Sequence, residues 1–219
     1  MIPDTNTVDQ SLQETMGFLR KNERVLICFP KRDGGIGKKI EDAVIRLGGA
    51  AIPWGEDLRW KTLLRQAFSE RISTIIGPPT VILGLSKLAY ANGIPLSVRN
   101  VMTAGAACQD WMKEGIVKGL DCKLYSWDNP CNELTAFINN DPVLDSLRKE
   151  LHSWTSILDC RMEKGTYGLE LEVVAFTGRQ MPKLPSCAKL VVRPWEPEVD
   201  TPFGLIPNWE NLAFSQENH

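Results

Sequence analysis

Glu23-Arg24-Val25-Leu26-Ile27-Cys28-Phe29, the loop Pro30–Gly35, Ile36, Ile40, Val44 and Leu47 at helical spacing, then Gly48-Gly49 and Ala50-Ala51-Ile52-Pro53: this stretch decides the fold class. Val25–Phe29 is a short uninterrupted apolar run, as expected of a strand buried on both faces. The apolar positions after it recur every three or four residues, which predicts a helix, and the paired glycines stop it. Ala50–Pro53 reads as a second short strand. Strand, helix and strand joined by tight loops are the unit of a parallel sheet.

The rhythm continues outward. Leu58–Ser69 predicts a helix with Leu63, Leu64, Ala67 and Phe68 on one face. Ser73–Gly77 is a third strand, ended by Gly77-Pro78-Pro79. Val81–Ala91 is a helix closed by Asn92-Gly93, and Val98–Met102 a fourth strand. Gln109–Gly119 and Cys122–Ser126 complete the series as helix and fifth strand. The expected fold is therefore α/β, a parallel sheet with helices on both faces. Right-handed crossovers place the loops after the strands along one edge, where such sheets bind ligands.

The flanks differ. Residues 1–21 are polar, with a short helix around Leu12–Leu19. After Asp128 the alternation stops. Asp141-Pro142 is a helix start, with Leu144, Leu147, Leu151, Trp154 and Leu158 as one apolar stripe. Gly168–Val173 alternates polar and apolar, as a half-exposed strand does, and Ala188–Arg193 is another strand. The expected organisation is a polar segment 1–21, an α/β part 22–135, a small α+β C-terminal part 136–195 and an irregular tail 196–219.

Composition narrows the function classes. The 219 residues carry 25 basic and 27 acidic side chains, a net charge of −2, which gives no general attraction to nucleic acid or anionic membrane. Apolar residues make up 43%, enough for a core. No apolar run is long enough to span a bilayer, and the start Met1–Thr5 is polar and acidic, so a cytoplasmic protein is expected. The six cysteines form no Cys-x-x-Cys pair and there are only two histidines, so reduced cysteines and no metal centre are expected.

Several loops bear on chemistry. Gly34-Gly35-Ile36-Gly37-Lys38-Lys39 follows a strand and opens a helix, the context of a phosphate loop. Lys39 stands where a Ser or Thr would hold magnesium, and Asp33 precedes the glycines with a charge that repels phosphate. A plain strand-to-helix loop is the favoured reading. Gly77-Pro78-Pro79 can wall a substrate pocket or simply turn the chain. In Thr103-Ala104-Gly105-Ala106-Ala107 small residues let a flat ring approach the backbone. Tyr125, placed at the end of the fifth strand, can stack on a purine.

In order and spacing, these elements resemble the N-terminal domain of the AMP-forming acid–CoA ligases of the phenylacetate–CoA ligase type, members of the adenylate-forming superfamily. The likeness covers residues 22–130. The helix after Asp141, Leu158-Asp159-Cys160-Arg161 and Leu169–Phe176 are similar to that family's small C-terminal domain. The resemblance implies activation of a carboxylic acid by ATP with magnesium to an acyl-adenylate, then transfer to coenzyme A. It further implies that Gly105 and Ala106 face adenine, Tyr125 stacks on it, and Gly77 and Pro78 border the acid.

The sequence also departs from the family. Its Ser/Thr/Gly-rich phosphate loop has no counterpart before Glu23. The family's Tyr-Gly-x-Thr-Glu string reads Tyr125-Ser126-Trp127-Asp128-Asn129 here, so Asp128 replaces the threonine that meets phosphate, a charge of the wrong sign. Pro182-Lys183-Leu184-Pro185-Ser186-Cys187-Ala188-Lys189 is similar to the catalytic-lysine segment of adenylating enzymes, with Lys189 in the lysine's place. A solvent-facing strand lysine is the competing reading. The expectation is a degenerate ligase homologue, inactive alone. The alternatives are an active ligase or subunit completed by a partner chain, or a nucleotide-binding protein acting through Gly34–Lys39. A small carboxylic acid is the expected ligand, and a partner chain or a homodimer the expected assembly.

Overall fold

The computed structural model describes residues 5–29, 35–54, 59–105, 108–127, 142–154, 156–176 and 179–195. Contacts divide the chain into two compact units, Met1–Ile138 and Asn139–His219.

In the first unit, α1 (Thr5–Thr15) and a 3-10 turn (Met16–Phe18) precede an alternation of β1 (Arg24–Ile27), α2 (Ile36–Arg46), β2 (Ala50–Pro53), α3 (Trp60–Ser69), β3 (Thr74–Gly77), α4 (Pro79–Ala91), β4 (Asn100–Ala104), α5 (Asp110–Leu120) and β5 (Lys123–Trp127). All five strands are parallel, in the order β2-β1-β3-β4-β5. The chain runs one way from β1 and the other way from β3, so the crevice at the carboxyl ends of these two strands is the switch point of the sheet. Val25, Leu26, Ile27, Ile75, Ile76, Val101 and Met102 are buried, as the continuous apolar runs predict for a sheet covered on both faces.

Three helices end in the same way. Gly48 donates to the Ile45 carbonyl and Gly49 to Val44; Arg71 donates to Phe68 and Ile72 to Ala67; Gly93 donates to Tyr90 and Ile94 to Ala89. Each is a paired-hydrogen-bond cap that requires a left-handed residue. Gly48 and Gly93 supply it freely, at φ of 81° and 64°. Arg71 takes it at φ of 48° with a side chain in place.

Helix packing explains other small residues. A Cβ on Gly84 of α4 would lie 2.3 Å from the buried Trp60 ring of α3. On α5, Gly115 and Gly119 admit Leu83 and Ser86 of α4, at 2.9 and 2.7 Å from where their Cβ atoms would be. Phe68 is the exception to the expected α3 face. The buried side is Trp60, Leu63, Leu64 and Ala67, whereas Phe68 lies past its margin and is 55% exposed.

The second unit holds α6 (Pro142–Ser153) and a three-stranded sheet in the order β6-β7-β8, from β6 (Ile157–Gly165), β7 (Gly168–Ala175) and β8 (Lys189–Pro194). β6 and β7 form an antiparallel hairpin, and β8 runs parallel to β7. Leu144 and Leu151 of α6 pack with Ile157, Cys160, Met162, Leu171, Val173 and Ala175. Two expectations are corrected here. Leu158 belongs to β6, not to the helical stripe, and the long strand β6 had no counterpart in the sequence reading. A register shift between Ile157 and Asp159 leaves Ile157 and Leu158 both buried, so Leu158 also fits a helical stripe and only the pairing with β7 assigns it to a strand.

Two substitutions test this packing. Gly84→Ala should lower stability by about 1–3 kcal/mol, since the Trp60 ring is buried and has no room to retreat. Arg71→Gly should raise stability by up to about 1 kcal/mol by removing the left-handed penalty. Chemical denaturation of both variants measures these effects.

Candidate functional site

The carboxyl edge at the switch point gathers three of the residues singled out in the sequence. β1 is prolonged past Ile27 by the Cys28 N–H, which donates to the Ile76 carbonyl at 2.7 Å. β3 ends at Gly77, and Pro78 caps α4 in extended conformation with Pro79 in its first turn. β4 ends at Ala104, and Gly105 follows at φ of 80°. All three, Gly77, Pro78 and Gly105, are buried.

The reason for the two glycines is visible. A Cβ on Gly77 would lie 2.6 Å from the Cys28 Cβ. One on Gly105 would lie 3.0 Å from the Phe29 ring, with Ile36 at the start of α2 3.9 Å away. Neither glycine leaves empty space, because the end of β1 fills it. Burial pushes the Cys28 thiol far above the ordinary cysteine value, so it stays protonated. At the end of β5, Trp127 is 3% exposed and its indole N–H has no hydrogen-bond partner among the described residues, a donor that no local motif marks. Ala106, Asp128 and the Asp33-Gly34 part of the glycine loop lie outside the described residues.

The other candidates lie elsewhere or are engaged. Tyr125 is in the middle of β5, in register with Met102, and not at the strand's end. Its ring stacks on Phe18 at 4.0 Å between centroids and 13° between planes. Gly105 is three residues beyond Met102, so Tyr125 sits about 10 Å back from the level of Gly105. Lys38 is turned along its own helix, with its ammonium 3.2 Å from Glu41 and 2.9 Å from Asp42. Hydrogen bonds to these two carboxylates raise its pKa, Asp42 contributing most. Lys189, in the second unit, opens β8 and reaches Glu170 of the neighbouring strand at 3.6 Å, and it remains 67% exposed.

The most elaborate polar cluster was not foreseen. It lies at the opposite, amino edge of the sheet and centres on Glu23, whose side chain is 1% exposed. Its carboxylate accepts from the Arg20 N–H at 2.9 Å, the Ser73 hydroxyl at 3.2 Å, the Asn100 amide at 3.2 Å and the Arg99 guanidinium at 3.4 Å. Burial alone would raise its pKa. The Arg20 N–H, the adjacent Thr74 and Ser73 hydroxyls and the Arg99 charge outweigh burial and hold the carboxyl below its ordinary value. The donors come from residues far apart in sequence, so no local motif announces them.

No protein-family model and no curated protein matches the chain. Among solved structures it is similar to 2-hydroxyisobutyryl-CoA ligase in complex with 2-HIB-AMP and CoA, at 17% identity and a TM-score of 0.49 over 60% of this chain and 29% of that one. It is similar to the amide bond synthetase McbA from Marinactinospora thermotolerans, at 16% identity and a TM-score of 0.47 over 76% of this chain and 36% of that one. It is also similar to the N-terminal domain of FACL13 from Mycobacterium tuberculosis, at 14% identity and a TM-score of 0.43 over 55% and 31%. The chain thus spans about a third of these structures' length. The likeness is to part of a fold, and the α/β assignment rests on the sheet order itself.

Glu23 gives the amino edge a defined acid response. A carboxyl held below its ordinary value of 4.5 stabilises the fold fully above that pH, and the contribution is lost as pH falls through the lowered folded-state value. Glu23→Ala should cost about 3 kcal/mol at neutral pH, because it strands the donors around it. It should also flatten the fall in stability between pH 5 and 3, as followed by urea melts at stepped pH (the pH limits are approximate, set by the ordinary glutamate range).

Proposed function

We propose that this chain is a shortened relative of the AMP-forming acid–CoA ligases of the phenylacetate–CoA ligase type, one that keeps the sheet scaffold and has lost the reaction. The observation that carries the reading is at the carboxyl edge. The resemblance assigns Gly77 to the acid site and Gly105 to the adenine site, and Cys28 and Phe29 of the same chain crowd the position a Cβ would take at each. The residues that would handle charge support it. Lys38 is committed to Glu41 and Asp42, and Lys189 is drawn to Glu170.

In this reading Gly105 and Ala106 are the remnant of the adenine strip, and Gly77 and Pro78 the remnant of the acid wall. By the resemblance, Asp128 replaces the threonine that meets phosphate, a charge of the wrong sign for stabilising adenylyl transfer. Lys189 occupies the place of the adenylating lysine. ATP, magnesium, coenzyme A and a small carboxylic acid are the ligands of the family reaction. The protein is cytoplasmic in this account, and the alternative is a ligase subunit whose activity a partner chain completes. Among the described residues no helix is long and apolar enough to cross a membrane.

Calorimetry of the purified chain with magnesium and ATP, with and without a panel of aryl acids, tests the reading. The expected result is no binding tighter than about 1 mM and no acyl-adenylate by mass spectrometry. Acyl-adenylate formed by the chain alone overturns it. In that event Lys189→Ala should abolish the product.

A further inference from the structure

We propose that the amino edge of the parallel sheet holds a binding site for a small planar aromatic carboxylate, separate from the carboxyl edge and independent of the function proposed above. A cavity of about 590 Å³ opens there, within the size range of small-molecule sites. Phe18 and Tyr125 form one wall. Their rings are nearly parallel and both are half-buried, so the pair offers a rigid flat surface of the kind planar ligands pack against.

Arg20, Arg99 and Lys123 line the same cavity. Arg20 and Lys123 are exposed, and among the described residues neither side chain has an ion-pair partner. Arg99 is 63% exposed and meets Glu23 through one amino group only, at 3.4 Å. Glu23 stays ionised among its four donors, of which only Arg99 carries a charge that balances it. It acts as the buried anchor that aims Arg99 and Asn100 at the cavity. Asp121 is the one lining carboxylate without such donors, and it stands at the carboxyl end of α5, whose dipole also disfavours an anion. Arg20, Arg99 and Lys123 set against Glu23 and Asp121 leave the lining with a net positive charge, which Arg20 and Lys123 present to the cavity. A guanidinium can hold a carboxylate through two parallel hydrogen bonds while the ligand ring packs on an outer face or the edge of the Phe18–Tyr125 stack.

Two-dimensional NMR of the full chain, titrated with 2-naphthoate and with neutral 2-naphthamide, tests the site. Naphthoate should shift the Phe18 and Tyr125 ring resonances, and the amide should bind about fivefold more weakly. The double variant Arg20→Gln/Lys123→Gln should weaken naphthoate binding about fivefold and leave the amide unchanged. Both replaced side chains are exposed, so the variant should melt like the parent. Equal affinity for acid and amide, shifts confined to residues outside the cavity, or no binding up to about 10 mM would each overturn the proposal. The wild-type shift map decides the matter even if the variant fails to fold.

Discussion

Glu23 is the constraint on which the first unit depends. Its carboxylate ties the turn before β1 to the starts of β3 and β4 through Arg20, Ser73, Arg99 and Asn100. Its own carbonyl accepts the Ala50 N–H at 2.8 Å and so sets the start of β2. One residue thereby aligns the entry of four parallel strands. The arrangement holds only because every oxygen of the buried charge is occupied. The same constraint aims Arg99 across the amino-edge cavity, so structural and ligand-facing roles share one anchor.

The two edges of the sheet solve opposite packing problems. At the carboxyl edge the Cys28 and Phe29 side chains, just past β1, crowd the Cβ positions of Gly77 at the end of β3 and Gly105 after β4. This crowding stands at the edge where doubly wound sheets ordinarily admit a ligand. At the amino edge the helices end in left-handed caps, strands begin with polar residues, and an open cavity remains beside the aromatic pair.

Charge placement points the same way. A lysine that is to meet phosphate must not already have a carboxylate within reach. Lys38 has two, at i+3 and i+4 on its own helix, an arrangement that stabilises α2 and competes with any anion at its start. Lys189 pairs across strands with Glu170, a common way for an exposed edge to keep its register. Both lysines have sufficient structural reasons to be where they are.

The sequence by itself determined the alternation of strands and helices in the first unit, because short apolar runs, helical spacing and Gly-Gly or Asn-Gly stops are local signals. It also located the glycines that matter. It did not reveal what fills the space around them, since Phe29 and Cys28 meet Gly105 and Gly77 only after distant strands pair. It misplaced Tyr125 because the end of a strand depends on its neighbour: β5 follows β4 through Ala104 and so runs on to Trp127. It missed β6 although Asp159–Glu163 alternates polar and apolar, because Leu158 continues the helical spacing of Leu151 and Trp154 and only the pairing with β7 assigns it to a strand. The Glu23 cluster was invisible for the same reason. Its donors span residues 20 to 100, and tertiary structure alone brings them to one carboxylate, because hydrogen bonding is decided by distance in space and not along the chain.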